Sequence, residues 1–593
     1  MLQTVLERIQ QRLFRLYGDA DAFDAYQSIE MRLRAAHTGT LPEVAANVRR
    51  WSHEDVMLIS YGDTFTKEGE WPLQTLQRFL QTHVKNAINQ VHILPFFPYS
   101  SDDGFSVIDY TLVNPDLGDW PHIQAIGREY GLMYDLVINH ISRESLWFTD
   151  YKANNPPFTD FFIEMEGTED VSQVTRPRNT PLLVPAYTHR GRKMVWATFS
   201  SDQIDLNFRN PQVLVKMVEI LLFYLQSGAR TIRLDAIAFL WKELGTTCIH
   251  LPQTHEVVKL LRDVMSYVRP EAILLTETNV PHVENLSYFG EQDEAHMVYQ
   301  FALAPLILHA LHRGDGSYLT EWAQQLVPPP QGCTFLNFTA SHDGIGVRPV
   351  EGILPEREVQ DLITAMHRQG GFVTNKSNPD GSQSPYEINI TYFSALRETH
   401  NSNGPDQWQV ERFICSQSIM MTLQGIPAIY VHSLVATPND RDGVDKTGRT
   451  RSINRRRWDY DYLQALLDSG RTSNAEVLKR LTAILQRRKK HQAFDPDTPQ
   501  RVLDLGSDYF ALWRDGPGLR FPLLALFNLT ADIKLLDLSA IEGIERFDSW
   551  VNLIDHRGVS GSETQFVMQP YQAVWLMPET VDGVSSLWAP VTD

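Results

Sequence analysis

Eight short runs of β-type residues recur along this chain, and stretches with helical periodicity lie between them. The runs lie at 56–60, 91–96, 132–138, 231–235, 273–277, 297–301, 335–339 and 427–431. Several are almost continuously apolar, as parallel strands are when both faces are covered. Intervening stretches at 72–81, 211–228, 256–268, 319–326 and 416–425 carry the helical signal. Alternation of strand and helix predicts a parallel α/β sheet, and a count of eight predicts a closed (β/α)8 TIM barrel. The 593 residues exceed what one barrel requires. Two intervals, 141–207 and 343–424, are too long for simple crossovers, and excursions of that kind at the carboxyl ends of barrel strands commonly build the substrate site. Beyond about 493 the pattern changes to short runs at 509–513, 523–528, 566–568 and 573–577, with turns between them. The expected organisation is therefore an N-terminal helical extension at 1–50, a barrel at 51–140 and 203–492, an inserted loop-rich domain after strand 3 at 141–202, and a C-terminal antiparallel β domain at 493–593. In the extension, Val5, Leu6, Ile9, Leu13 and Leu16 fall near helical spacing.

Charge restricts the partners. Lysine plus arginine is 53 and aspartate plus glutamate is 72, a formal charge of −19. Such a chain is a poor non-specific binder of nucleic acid or of an anionic membrane, and neither is expected as a partner. The most apolar run, 301–311, is interrupted by Pro305 and His309 and is too short to span a bilayer. The first 17 residues lack the continuous apolar segment of a secretory signal. Cys248, Cys333 and Cys415 cannot make a disulfide framework, and none has a close Cys or His partner at zinc-finger spacing. A cytoplasmic location and no resident metal or cofactor are expected, with the chain a monomer or homodimer.

The chemistry-bearing residues sit just after predicted strands. Residues 135–140 (Asp-Leu-Val-Ile-Asn-His) close the third run, Arg233 to Asp235 close the fourth, Glu277 ends the fifth, and His342 and Asp343 follow the seventh. One acidic residue after a strand usually caps a helix or faces solvent. Three carboxylates at three strand ends, with two histidines and an arginine, converge on one face of a barrel. Two close carboxylates and a third suit glycosidic-bond chemistry, in which one attacks the anomeric carbon and a protonated one donates to the leaving oxygen.

These four segments resemble the signature regions of the α-amylase superfamily of glycoside hydrolases and transglycosidases, in the same order and on the same strands. The resemblance implies Asp235 as nucleophile, Glu277 as general acid/base and Asp343 as transition-state stabiliser. It also implies that His140, Arg233 and His342 hold the glucosyl unit and the nucleophile. Many members carry calcium near the asparagine equivalent to Asn139, but one branch generally does not. That is the sucrose phosphorylase branch, which residues 94–105 resemble, as do Arg176-Pro177-Arg178, 199–206, 242–255 and 451–455. Its members release a β-glucosyl enzyme onto phosphate as α-D-glucose 1-phosphate. By this resemblance Asp102 and Arg451 close the pocket around the far end of the glucose ring, and Arg176 and Arg178 serve the acceptor. Phe105 is a candidate stacking platform. The N-terminal extension and the 249–255 stretch resemble the glucosylglycerate-type members.

Phosphate must outcompete water at the glucosyl enzyme, so the site requires preorganised cations, and arginine forks suit phosphate oxygens. Arg176, Arg178 and Arg451 are where such a positive funnel is expected. Arg190, Arg192 and Lys193 lie in the same insertion and read as solvated. The basic stretch 440–458 is interleaved with aspartates, and within it 443–450 falls one residue short of a phosphate-loop pattern. His250 and His255 lie five apart, which is not helical zinc spacing. The function expected is a retaining α-glucoside phosphorylase acting on a small α-glucoside, of glucosylglycerate or sucrose type, and inorganic phosphate. The alternatives are a hydrolase or sucrose-dependent transglucosidase with the same triad, and a non-catalytic carbohydrate-binding protein.

Overall fold

The structure is a computed structural model that describes residues 2–36, 48–378, 382–400, 402 and 404–579. Segment 37–47 of the expected extension and segment 580–593 of the expected β domain lie outside the described residues. The eight runs form a closed barrel of parallel strands. They are β1 (Met57–Ser60), β2 (Gln90–Ile93), β3 (Gly131–Val137), β4 (Ala229–Asp235), β5 (Ile273–Thr276), β6 (Met297–Tyr299), β7 (Thr334–Phe338) and β8 (Ile426–Tyr430). Each pairs with its sequence neighbours, and β8 closes on β1 with Ala428 beside Met57. These strands are almost entirely buried, which explains their unbroken apolar character. The register of β3 on β4 sets Asp135 beside Arg233, a pairing on which the site depends.

The excursion after β3 carries a three-stranded antiparallel sheet of Glu164–Met165, Leu183–Thr188 and Gly191–Trp196. It is tied to the barrel where His140–Ser142 pairs with Gln203–Asp205. The excursion after β7 contains a second such sheet of Ile345–Gly346, Phe372–Ser377 and Gln383–Asn389. Near the C-terminus a six-stranded sheet runs in the spatial order Gln500–Leu503, Tyr509–Arg514, Leu523–Asn528, Ala573–Pro578, Ser549–Asn552 and Gly558–Ser560. Phe566–Met568 pairs instead with Lys534–Leu536 in a separate ribbon.

The N-terminal extension holds two helices where the spacing predicted one. Helix α1 (Leu2–Tyr17) is followed by α2 (Asp19–Ala36), whose buried stripe is Ala22, Ala25, Ile29 and Leu33. Two alanines in that stripe weaken its apolar signal in the sequence. The pair packs on the barrel helices α3 (Pro211–Gln226) and α4 (Pro252–Val268). Arg12 is nearly buried there and donates to Asp263 at 2.8 Å, and Arg8 reaches the same carboxylate at 2.6 Å.

Two fully buried arginines bond backbone carbonyls at the amino-terminal end of the barrel, and one of them, Arg514, belongs to the C-terminal sheet. Arg514 donates to Thr422 O and Asp495 O at 2.7 Å and to Thr498 O at 2.9 Å. Arg488 donates to Met421 O at 3.0 Å and His53 O at 3.1 Å. Burial pushes both guanidinium groups down to about 9, but they remain charged at neutral pH. Replacing Arg514 with Met strips three buried carbonyls of charged donors at roughly 1.5–3 kcal/mol each, offset by removal of a buried charge. The expected net loss is about 3 kcal/mol, seen as a lower midpoint of thermal unfolding; an unchanged midpoint would show that this junction contributes nothing to stability.

Candidate active site

All barrel strands end on one face, so side chains from β3, β4, β5 and β7 converge there. Arg233 and Asp235 are two apart on β4 and therefore point to the same side of the sheet, the barrel interior. Arg233 is buried, and its Nη1 donates to Asp135 Oδ1 at 2.6 Å and to Asp235 Oδ1 at 2.7 Å. Its Nε donates to the Tyr299 hydroxyl at 3.2 Å, and Nη2 stands 4.0 Å from Glu277 Oε2. Asp135 also meets His92 Nε2 at 2.6 Å. A guanidinium taken wholly out of water is tolerable only with such partners. Burial alone would raise Asp135, but His92 and Arg233 bring it down to about 2, so Asp135 is a permanent counter-charge.

Immediately after Asp235 the chain turns through Ala236, a non-glycine residue at φ 51°. A left-handed conformation costs about 1–3 kcal/mol at such a residue and recurs where function over-determines the backbone. Here it aims the Ala236 N–H at Glu277 Oε2, 3.1 Å away. A second strained turn lies across the pocket, where Asp102, Asp103 and Gly104 have φ of 52°, 49° and 111°. A Cβ on Gly104 would lie 2.6 Å from the Pro95 carbonyl oxygen, so only glycine fits. The Asp202 carboxylate pins this turn by accepting from Ser100 Oγ at 2.6 Å and Ser106 Oγ at 2.7 Å.

A narrow cavity of about 70 Å³ opens on this face. Its walls include Asp102, Phe105, His140, Arg178, Asp235, Glu277, His342, Asp343 and Arg451. The Phe105 ring stacks on His342, with centroids 4.7 Å apart and planes 5° from parallel. His140 Nε2 lies 2.9 Å from the Phe105 carbonyl and 3.2 Å from Gln203 Nε2. Next to His140, the Lys242 ammonium sits 2.6 Å from Asn139 Oδ1 and 2.6 Å from Asp205 Oδ2. One protein cation thus satisfies both oxygens, and among the described residues no group of three or more His, Cys, Asp or Glu side chains is placed to hold a metal ion.

One expectation is corrected. Arg176 does not line the cavity: it is partly exposed and its guanidinium donates to the Thr180 carbonyl of its own loop. Of the two arginines in the triplet only Arg178 lines the cavity. Asp102 and Arg451 both line the cavity. Arg451 is held at 2.7 Å from Asp343 Oδ1 and forms a two-pronged contact with Glu387 at 2.8 Å and 2.8 Å, while Asp102 lies 3.9 Å from Arg455. Residue-by-residue reading also missed Glu387, Tyr386, Gln203 and Asn279, all on the cavity wall. Tyr386 and Glu387 sit on Gln383–Asn389 in the second long excursion, so its length was the available signal. His250 is bound to Tyr288 and Glu284, and His255 to Glu294, outside the cavity.

The carboxylates are electrostatically distinct. Burial raises Glu277, and the negative charges of Asp235 and Asp343 add to it against Arg233, bringing it to about 7. Burial opposes ionisation of Asp343 too, but the Arg451 and Arg455 guanidinium groups outweigh it and hold Asp343 far below the ordinary range. Asp235 is raised by burial against the pull of Arg233 and His140. His342 is driven down by burial and is neutral at physiological pH. One carboxyl thus keeps its proton up to about neutrality while a neighbour never takes one, a separation that divides acid and anion roles.

That separation is measurable without turnover. Infrared difference titration should show the Glu277 carboxyl band lost with a midpoint near 7, and Asp235→Asn should move the midpoint down because one neighbouring negative charge is gone. A wild-type midpoint in the ordinary carboxylate range would contradict the assignment.

The family model "Alpha amylase, catalytic domain" matches residues 83–325. Glucosylglycerate phosphorylase of Spirochaeta thermophila is 45% identical over 529 residues, covering 88% of this chain and 89% of its own. Glucosylglycerate phosphorylase of Escherichia coli is 40% identical and covers 96% of this chain and 100% of its own. Among solved structures, sucrose 6F-phosphate phosphorylase from Thermoanaerobacter thermosaccharolyticum superposes with a TM-score of 0.70 at 23% identity, over 82% of this chain and 96% of that one.

Proposed function

The chain belongs to the α-amylase family, in its sucrose phosphorylase branch, and from that premise we infer that it is a retaining α-glucoside phosphorylase whose donor is a small α-glucoside of the glucosylglycerate type. Asp235 attacks the anomeric carbon while protonated Glu277 gives its proton to the departing aglycone oxygen. The C1–oxygen bond breaks, and an ester forms between Asp235 and the glucosyl unit. Glu277, now a carboxylate, takes a proton from the incoming phosphate. The phosphate attacks C1 from the side that the aglycone left, frees Asp235 and departs as α-D-glucose 1-phosphate. Asp343 stays ionised throughout and faces the positive charge that builds at C1. Asp102 and Arg451 receive the far hydroxyls of the ring, Phe105 and His342 supply a flat wall, and His140 and Arg233 orient the sugar and Asp235.

One observation favours phosphorolysis over hydrolysis. Arg178 lines the cavity, lies over the Tyr386 ring at 5.1 Å and the Phe199 ring at 5.9 Å, and forms no ion pair among the described residues. Arg451 is already matched by two carboxylates, so Arg178 is the cation free to take an anionic oxygen as a fork. The identities of 45% and 40% to glucosylglycerate phosphorylases support a donor whose aglycone is itself an anion, which the same guanidinium suits. Among the described residues no helix is long and apolar enough to cross a membrane, and the three cysteines are buried and unpaired; we place the enzyme in the cytoplasm on that chemistry.

Incubation with glucosylglycerate and with sucrose, each with and without phosphate, tests the reading. Glucose 1-phosphate should form only when phosphate is present, faster from glucosylglycerate; equal release of glucose in both arms with no glucose 1-phosphate would establish a hydrolase. Asp235→Asn should lower kcat by roughly 10⁴-fold. Arg178→Ala should raise KM for phosphate at least about tenfold, the loss of one charge-assisted contact. Hydrolysis of α-glucosyl fluoride without phosphate, a donor with no anionic aglycone, should then change by no more than about twofold. Because Glu277 must enter protonated, donor cleavage should be full below its midpoint and fall as pH rises through about 7; a flat profile across that range would remove Glu277 from the acid role.

A further inference from the structure

A second cavity lies behind the Asp102–Asp103 turn, and no step above uses it. It encloses about 380 Å³, within the roughly 300–1,000 Å³ of small-molecule sites. The residues after β1 and β2 form one side of it, and the segment after β8 forms the other. Its cations are not all committed. Arg457 is bound to Asp63 at 2.8 Å and Arg455 to Asp103 at 2.6 Å. Lys446, on Arg441–Thr447, and Arg456, whose guanidinium lies 4.1 Å over the Trp458 ring, form no ion pair among the described residues. The Tyr61 hydroxyl and Arg455 Nη2 are sealed away behind this wall and lack hydrogen bonds among the described residues. Asp440 caps its helix at Gly443 N, 3.2 Å away, while Asp442 is exposed and forms no ion pair among the described residues.

We propose that this cavity is a second binding site, for a hexose monophosphate. The phosphate meets Lys446 and Arg456, which stand without counter-charges. The sugar hydroxyls meet the Asp442 carboxylate, which would repel a bare anion but accepts from hydroxyl groups. Arg455 is the partition between this cavity and the catalytic one. Its Nε donates to the His342 carbonyl at 2.8 Å, and its Nη2 stands 3.9 Å from Asp343 Oδ1. Tyr61 lies under that guanidinium at 5.7 Å and edge-on to His342 at 6.0 Å. Occupancy therefore shifts the support of Asp343, and donor binding acts back on the second site by the same factor. The coupling rests on the reading of Asp343 as catalytic; the binding does not.

Isothermal titration calorimetry of the full chain with glucose 6-phosphate tests the site, with donor hydrolysis in the absence of phosphate as a second readout that is valid whether or not the enzyme is a phosphorylase. One equivalent should bind the wild type and Arg178→Ala equally. Binding should weaken at least tenfold in Lys446→Ala/Arg456→Ala, and in Thr447→Trp, which fills the cavity from an exposed position on its wall. Inorganic phosphate should bind more weakly than glucose 6-phosphate. Glucose 6-phosphate should change KM for the donor at least twofold in the wild type and not in the double variant. Absence of binding, binding that survives both variants, or binding lost in Arg178→Ala would overturn the site. Inorganic phosphate binding as tightly as the sugar phosphate would overturn the sugar part, and binding with no change in KM would overturn the coupling.

Discussion

Arg233 is the interaction on which the rest of the site depends. It is a guanidinium sealed inside the barrel, and its charge is tolerable only because Asp135 and Asp235 both lie within 2.7 Å. The β3–β4 register brings Asp135 into place, so a backbone property of the barrel helps determine the position of the Asp235 carboxylate. The same guanidinium reaches toward Glu277. Removing it would leave Asp135 and Asp235 as uncompensated buried charges, a loss of fold and of chemistry together.

Around that cation the three carboxyl groups diverge through their surroundings. Glu277 has little besides a distant Arg233 and one backbone N–H, and burial lifts it to about 7. Asp343 has Arg451 and Arg455 nearby and is held ionised. The same arrangement changes the expected positive funnel. A chain of charge −19 does not gather free arginines at its pocket; it gathers arginines already matched to carboxylates and leaves one, Arg178, unmatched. That unmatched guanidinium lies over the Tyr386 and Phe199 rings.

Much of this was legible in the sequence because the barrel encodes strand ends. Asp235, Glu277 and Asp343 each follow an apolar run, and a parallel barrel leaves no freedom about which face they reach. Residues on excursions were not legible in that way. Arg176 and Arg178 share a triplet, yet only one enters the cavity, since direction in a loop depends on what it packs against. Glu387 lies on an antiparallel strand whose partners are local to the excursion, and its contact with Arg451 spans 64 residues. Helix α2 was hidden by alanines in its buried stripe.

Catalysis is proposed to divide between Asp235, which attacks the anomeric carbon, and Glu277, which acts as acid. Intact-protein mass spectrometry of the Glu277→Gln variant with α-glucosyl fluoride, a donor whose leaving group needs no proton, addresses it directly. A mass increase of one glucosyl residue, mapped by peptide digestion to Asp235, is the result expected. No adduct, or an adduct on Asp343 or Glu387, would contradict the account.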